Sequence, residues 1–94
     1  MIHPILSPHF PLGQICLTVA AEAQVARADL IQGLRRHTFC DWGEVSPLDR
    51  DMNTRALQDG GLLLSSYRTA QGIRFWVVTD ANRESTTVLM AEDY

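Results

Sequence analysis

The last third of the chain, Gly61 to Tyr94, most constrains the fold, because it holds three short runs of strand-forming residues separated by turns of hairpin length. Leu62 to Arg68 and Ile73 to Asp80 are joined by Thr69 to Gly72, and a second turn, Ala81 to Glu84, leads into Ser85 to Met90. Such runs, rich in β-branched and aromatic residues and bounded by turns, read as an antiparallel meander. Side chains alternate across a strand, so the middle run places Ile73, Phe75, Val77 and Thr79 on one face and Arg74, Trp76 and Val78 on the other. Both faces carry apolar residues. One therefore meets a helical layer, and the other is expected to be partly open, with Trp76 and Tyr67 as an aromatic patch.

The residues before Gly61 supply one more strand and the helices that cover the sheet. Gln14 to Val19 reads as the first strand, with Ile15, Leu17 and Val19 on one side and Cys16 and Thr18 on the other. Ala20 to His37 is alanine-rich and helical, but its apolar spacing breaks near Arg27 to Asp29; Asp29 followed by Gln32 has the pattern of an N-cap, which suits two short helices meeting at a corner. Leu30, Leu34 and His37 fall on one stripe, and Arg35, Arg36 and His37 place cations at the helix end. Thr38 to Val45 has no period and reads as a turn whose Phe39 and Trp42 plug the core edge. Ser46, Pro47 and Asp49 open a second helical stretch that Gly60 and Gly61 close, with Leu48, Met52 and Ala56 as its expected buried stripe and Asp51 with Arg55 as an i,i+4 pair. The expected architecture is α+β: one N-terminal strand, two or three short helices, then a three-stranded antiparallel meander, giving a small sheet covered by helices on one face. Residues 1–13, which hold three of the four prolines, read as an extended arm on a single domain, 14–94.

Ninety-four residues allow one such layer pair and no more. A net charge of −3 and a pI near 5.4 disfavour non-specific attraction to nucleic acid or to an anionic membrane. All 8 basic side chains are arginine. Two cysteines cannot form a disulfide framework, and no secretory or membrane-spanning run is evident, so the chain reads as cytoplasmic with reduced thiols.

Three constellations invite a chemical reading. His37 and Cys40 have an H-x-x-C spacing that could supply half of a zinc site, but two further ligands are not in reach by sequence, so neither metal nor cofactor is expected. Asp41, Glu44, Asp49 and Asp51 surround Trp42 at a turn and a helix start; capping and the helix dipole explain acids there, and as a surface they would suit an arginine-rich protein partner. With Arg74 and Trp76 on the sheet, these are the candidate partner-binding residues. The third is His37 with Arg68, Arg74, Thr79 and Thr87, which has the make-up of small ribonuclease sites of the barnase, colicin and RelE type, where a base deprotonates a 2′-hydroxyl beside phosphate-neutralising arginines.

The segments HFPLGQI, LRRH, DWG, DRDMN and WVVTDANRESTTVLMAEDY together resemble a family of small uncharacterised proteobacterial proteins carried on plasmids and integrative elements. The resemblance runs from His9 to Tyr94 and brings no reaction or catalytic residues with it. It implies a mobile-element setting, in which small acidic proteins act by binding a host or element-encoded protein, for instance as inhibitors of host defence in the manner of anti-CRISPR proteins. The expectation is a binding or inhibitory protein, with a small ribonuclease and a structural homodimer as the alternatives.

Overall fold

The computed structural model describes residues 8–93 and is α+β, with three helices and one four-stranded sheet. Strand β1 (Gln14–Leu17) is followed by helices α1 (Val19–Gln24), α2 (Arg27–Thr38) and α3 (Pro47–Asp59), then by strands β2 (Leu63–Arg68), β3 (Arg74–Thr79) and β4 (Ser85–Met90) and a closing 3₁₀ turn, Ala91–Asp93. β2, β3 and β4 pair antiparallel in sequence order, and β1 adds beside β4 in parallel, so the order is β1-β4-β3-β2. The sheet is therefore mixed rather than purely antiparallel.

Register fixes what each face carries. Tyr67, Phe75 and Met90 form one cross-strand row of the inner face, Ser65, Val77, Val88 and Leu17 the next, and Leu63, Thr79, Thr86 and Ile15 the third. Ala20, Ala21, Val25, Leu30 and Leu34 from the helices pack over the first two rows. Phe10, Trp42, Ala56 and Leu63 make a second apolar cluster at the β2 side.

The helix starts follow local chemistry. Thr18, expected inside the strand, instead caps α1 by accepting from the Ala21 amide, so β1 stops at Leu17. The corner falls at Val25 and Ala26, ahead of Asp29; that residue lies in the first turn of α2 and its carboxylate accepts from the Ala70 amide in the β2–β3 turn, 3.2 Å away. Ser46 caps α3 through the Asp49 amide, with Pro47 in the first turn. At the end of α2 the Asp41 amide donates to the Arg36 carbonyl and the Cys40 amide to that of His37, a Schellman pair that puts Cys40 in the left-handed position at φ 65°. Residues 8–13 lie against the body, His9 donating its amide to the Thr38 carbonyl and Phe10 buried in the second cluster; the rest of the expected arm, 1–7, lies outside the described residues.

Helix α3 departs most from expectation. Leu48 and Met52 are exposed, at 68% and 55%, and the buried positions are Asn53 and Ala56. The reason is that α3 lies along the outer edge of β2 instead of over a sheet face. The Asn53 side chain donates to the Leu64 carbonyl at 2.8 Å and accepts from the Leu64 amide at 3.0 Å, taking up both main-chain groups that the edge strand turns outward there. Two residues on, the Ser66 amide donates to the Trp42 carbonyl and its carbonyl accepts from the Glu44 amide, which makes a one-residue parallel bridge centred on Gly43. The β2 edge is thus closed to other strands. Replacing Asn53 by alanine leaves both Leu64 groups without a partner beneath α3 and is expected to lower stability by about 2 kcal/mol, read as a drop in the urea midpoint.

Candidate functional site

His37 is fully buried, and both ring nitrogens are engaged: Nδ1 lies 2.5 Å from the Ser65 hydroxyl and Nε2 2.8 Å from the Thr79 hydroxyl. Thr79 Oγ1 is in turn 2.7 Å from Thr86 Oγ1, and Thr86 donates to the Leu12 carbonyl at 2.7 Å. That carbonyl can only accept, which orients every proton in the chain. Thr86 spends its proton on Leu12, so it must accept from Thr79; Thr79 must then accept from Nε2–H, and Nδ1, without a proton, accepts from Ser65. The imidazole is the neutral Nε2–H tautomer. Burial, and secondarily the charge of Arg83, lowers its pKa to about 4. The rings of Phe10 and Trp42 meet it edge-on at centroid distances of 5.2 and 5.6 Å.

This geometry corrects the ribonuclease constellation. His37 and Thr79 are interior, with no solvent-facing nitrogen left to act as a base. Arg68, Arg74 and Thr87 belong to the opposite face of the sheet, as the strand register requires. His37 is also not the helix-end cation the sequence suggested. The H-x-x-C pair does not converge either: His37 points into the core, and Cys40 Sγ sits 3.2 Å from His9 Nδ1. Among the described residues no three His, Cys, Asp or Glu side chains gather as a metal cluster, and no helix is long and apolar enough to cross a membrane.

The acidic corner is rearranged as well. Trp42 plugs the core, 5% exposed, so its ring is not part of any surface that the acids present. Asp41 accepts from Arg36 at 2.7 and 3.2 Å, and this bond holds its carboxyl below the usual pKa. Glu44 accepts from Arg68 at 2.8 Å and from Arg74 at 3.1 Å, and its carboxyl is lowered likewise, chiefly by Arg68. Two of the four acids are thus matched by arginine. Asp49 and Asp51 are the ones left on α3, and the expected Asp51–Arg55 pair is not among the three ion pairs of the described residues. Tyr67, expected on the open face, is buried on the inner face, where Arg36 stacks on its ring at 4.5 Å and its hydroxyl donates to the Asp41 carbonyl.

What remains open is the outer face. Its rows are Arg68 and Arg74; Ser66, Trp76 and Leu89; then Leu64, Val78, Thr87 and Cys16. Apart from buried Ser66, the two central rows are half-buried. On the β2 side this face runs into a hollow of about 150 Å³ walled by Asp49, Met52, Asn53 and Leu62 and floored by Leu64 and Val78. A shallower hollow of about 400 Å³ follows along Met52, Arg55, Gly60, Gly61 and Leu62. The exposed apolar side chains Met52 and Leu62 therefore border a groove that continues onto the sheet, with the Arg68–Glu44–Arg74 triad in the row beside Trp76.

One clamp was invisible in the sequence. The Arg83 guanidinium donates to the carbonyls of Gly61, Asp80, Ala81 and Ala56, tying the end of α3 to the β3–β4 turn, and it lies 5.9 Å above the Phe10 ring. The only local signal is a lone arginine in the Ala81 to Glu84 turn. Comparison with known protein families, with curated proteins and with solved structures finds no match to this chain.

Proposed function

We propose that this protein acts by binding another protein through the outer face of its sheet and the adjoining flank of α3. The observation that supports the reading is the groove in which Met52 and Leu62, 55% and 62% exposed, meet Leu64 and Val78 beside the acid Asp49. An apolar strip with a charged rim is the make-up of a docking surface, and large apolar side chains grouped at one place on a small chain cost solubility unless something covers them. The acids Asp49 and Asp51 and the net charge of −3 favour a partner that offers arginine or lysine next to apolar side chains. A host or element-encoded effector that handles nucleic acid has such a surface, and occupying it would inhibit the effector; this is the form of action that the mobile-element resemblance implies.

The test uses host extract as the source of the partner and the purified pair thereafter. Replacing Met52 and Leu62 together by glutamate is expected to weaken binding at least about tenfold while leaving the melting temperature nearly unchanged, because both side chains are exposed. Asp49→Asn and Asp51→Asn are expected to slow association and to reduce its salt dependence. Unchanged binding by the Met52/Leu62 variant removes the groove from the interface and the proposal with it.

A further inference from the structure

The two edges of the sheet are treated in opposite ways. The β2 edge is closed by the Asn53 amide at Leu64 and by the Gly43 bridge at Ser66. At the other edge no strand among the described residues lies beyond β1. The direction of its main-chain groups follows from its bonds to β4: Gln14 donates to the Glu84 carbonyl and Thr18 to that of Val88, so the even positions face β4 and the N–H and C=O groups of Ile15 and Leu17 point outward. Natural edges are blunted by charge, proline, a bulge or shortness, and β1 has the last of these, at four residues. Gln14 to Thr18 contains no charge, no proline and no bulge. The flanking apolar side chains Ile15 and Val19 are 44% and 86% exposed.

We infer that β1 is an intermolecular edge: two copies of this chain pair antiparallel through Gln14–Leu17, about a two-fold axis at Cys16, to form one sheet continuous across both. The register is self-complementary. With Cys16 opposite Cys16 of the second copy, Ile15 faces Leu17 of that copy and exchanges both main-chain bonds with it, and the same pair recurs on the other side of the axis. Each Ile15 side chain gains an apolar cross-strand neighbour on the inner face, and no charged residue meets a like charge within the paired segment. A shift of one residue would oppose outward groups to inward ones and lose the bonds. The occupant is a second copy because the segment satisfies itself. This contact is separate from the α3 groove and stands whether or not that groove binds a partner.

The axis at Cys16 supplies the test. A non-hydrogen-bonded antiparallel pair brings its Cα atoms to about 4.5 Å, within the range a disulfide spans. Mild oxidation of a Cys40→Ser variant is expected to yield a covalent dimer through Cys16 within minutes, at protein concentrations where a Cys16→Ser variant, which keeps Cys40, forms none. Light scattering of the unmodified protein is expected to give twice the 10.5 kDa chain mass at high concentration. Ile15→Pro removes an outward N–H and none of those donated to β4, so it is expected to give a folded monomer. A monomeric mass for the unmodified protein at every concentration overturns the inference. So does absence of the Cys16 crosslink in a sample that scatters as a dimer, which would mean a dimer built through some other surface.

Discussion

Acidification from about pH 6.5 to about pH 4 is expected to remove on the order of 3 kcal/mol of stability, through His37 alone, since each unit of pKa difference carries about 1.4 kcal/mol. The sign follows from the direction of the shift. A histidine whose folded pKa is lowered, here from 6.5 to about 4, binds its proton in the unfolded state first, so the native state is at full strength above the unfolded value and loses ground as pH falls through the window. The carboxyls that arginine or hydrogen bonds hold low, Asp41, Glu44 and Asp93, act in the same direction, but only as pH falls below the ordinary carboxylate values of 3.8 and 4.5. Urea midpoints near pH 7 and pH 4.5 therefore report chiefly on the imidazole, with a smaller share from Glu44, whose ordinary value is 4.5. His37→Gln should flatten the slope between them. His37→Phe should flatten it too, and at neutral pH it should cost about 3 kcal/mol, because it leaves the Ser65 and Thr79 hydroxyls buried without their partner. A protein as stable at pH 4.5 as at pH 7 would mean that the ring is not held neutral in the core.

Gly43→Ala is the second change expected to have a large effect. Gly43 has φ 73°, and a Cβ there would come 2.1 Å from the Ser66 carbonyl oxygen and 2.7 and 2.9 Å from Tyr67 ring carbons. The first of these is a main-chain atom in the bridge itself and cannot rotate away. Relief requires the 42–44 segment to lift from β2, which breaks both bridge bonds, disturbs the Tyr67 hydroxyl bond to Asp41 and moves Glu44 from its two arginines. A loss of about 3 kcal/mol is expected, combining backbone strain with overpacking. Gly72→Ala is the control: φ is 85° there and nothing lies within 4 Å, so only the positive-φ backbone is penalised, by about 1 kcal/mol. Comparable melting temperatures for the two variants would show that the close approach at Gly43 carries no weight.

The strands were readable because alternation and turn spacing act locally. Phe75, Val77 and Thr79 do share the inner face, and Arg74, Trp76 and Val78 the outer one. What failed to read was anything fixed by a partner distant in sequence. A helix over a sheet face buries leucine and methionine, whereas a helix along a strand edge must meet exposed main-chain groups, and that is why Asn53 is buried in α3 while Met52 is not. Trp42 was correctly placed as a plug, yet the same burial removes it from the acidic surface assigned to it. The burial of His37 has a signal in the strands: Ser65, Thr79 and Thr86 are polar residues at inward positions of three strands, and hydroxyls on a core face require an internal partner. Several of the sequence motifs singled out above hold contacts of this kind. Leu12 in HFPLGQI accepts from Thr86, LRRH and DWG supply Arg36, His37, Trp42 and Gly43, DRDMN supplies Asn53, and the terminal segment supplies Thr79, Arg83 and Thr86.

The pairing of β1 with β4 also has a kinetic side. The strand made first completes its ladder only with the strand made last, and the bond from Thr86 to Leu12 closes a separation of 74 positions. Contacts so far apart are entropically slow to form, and little local structure compensates in a sheet whose first strand has four residues. During synthesis the hydroxyls that receive His37 stay incomplete until Thr86 has left the ribosome. Until β4 is made the chain holds a half-satisfied polar interior and an unclosed sheet, so the domain cannot close before its last strand is available.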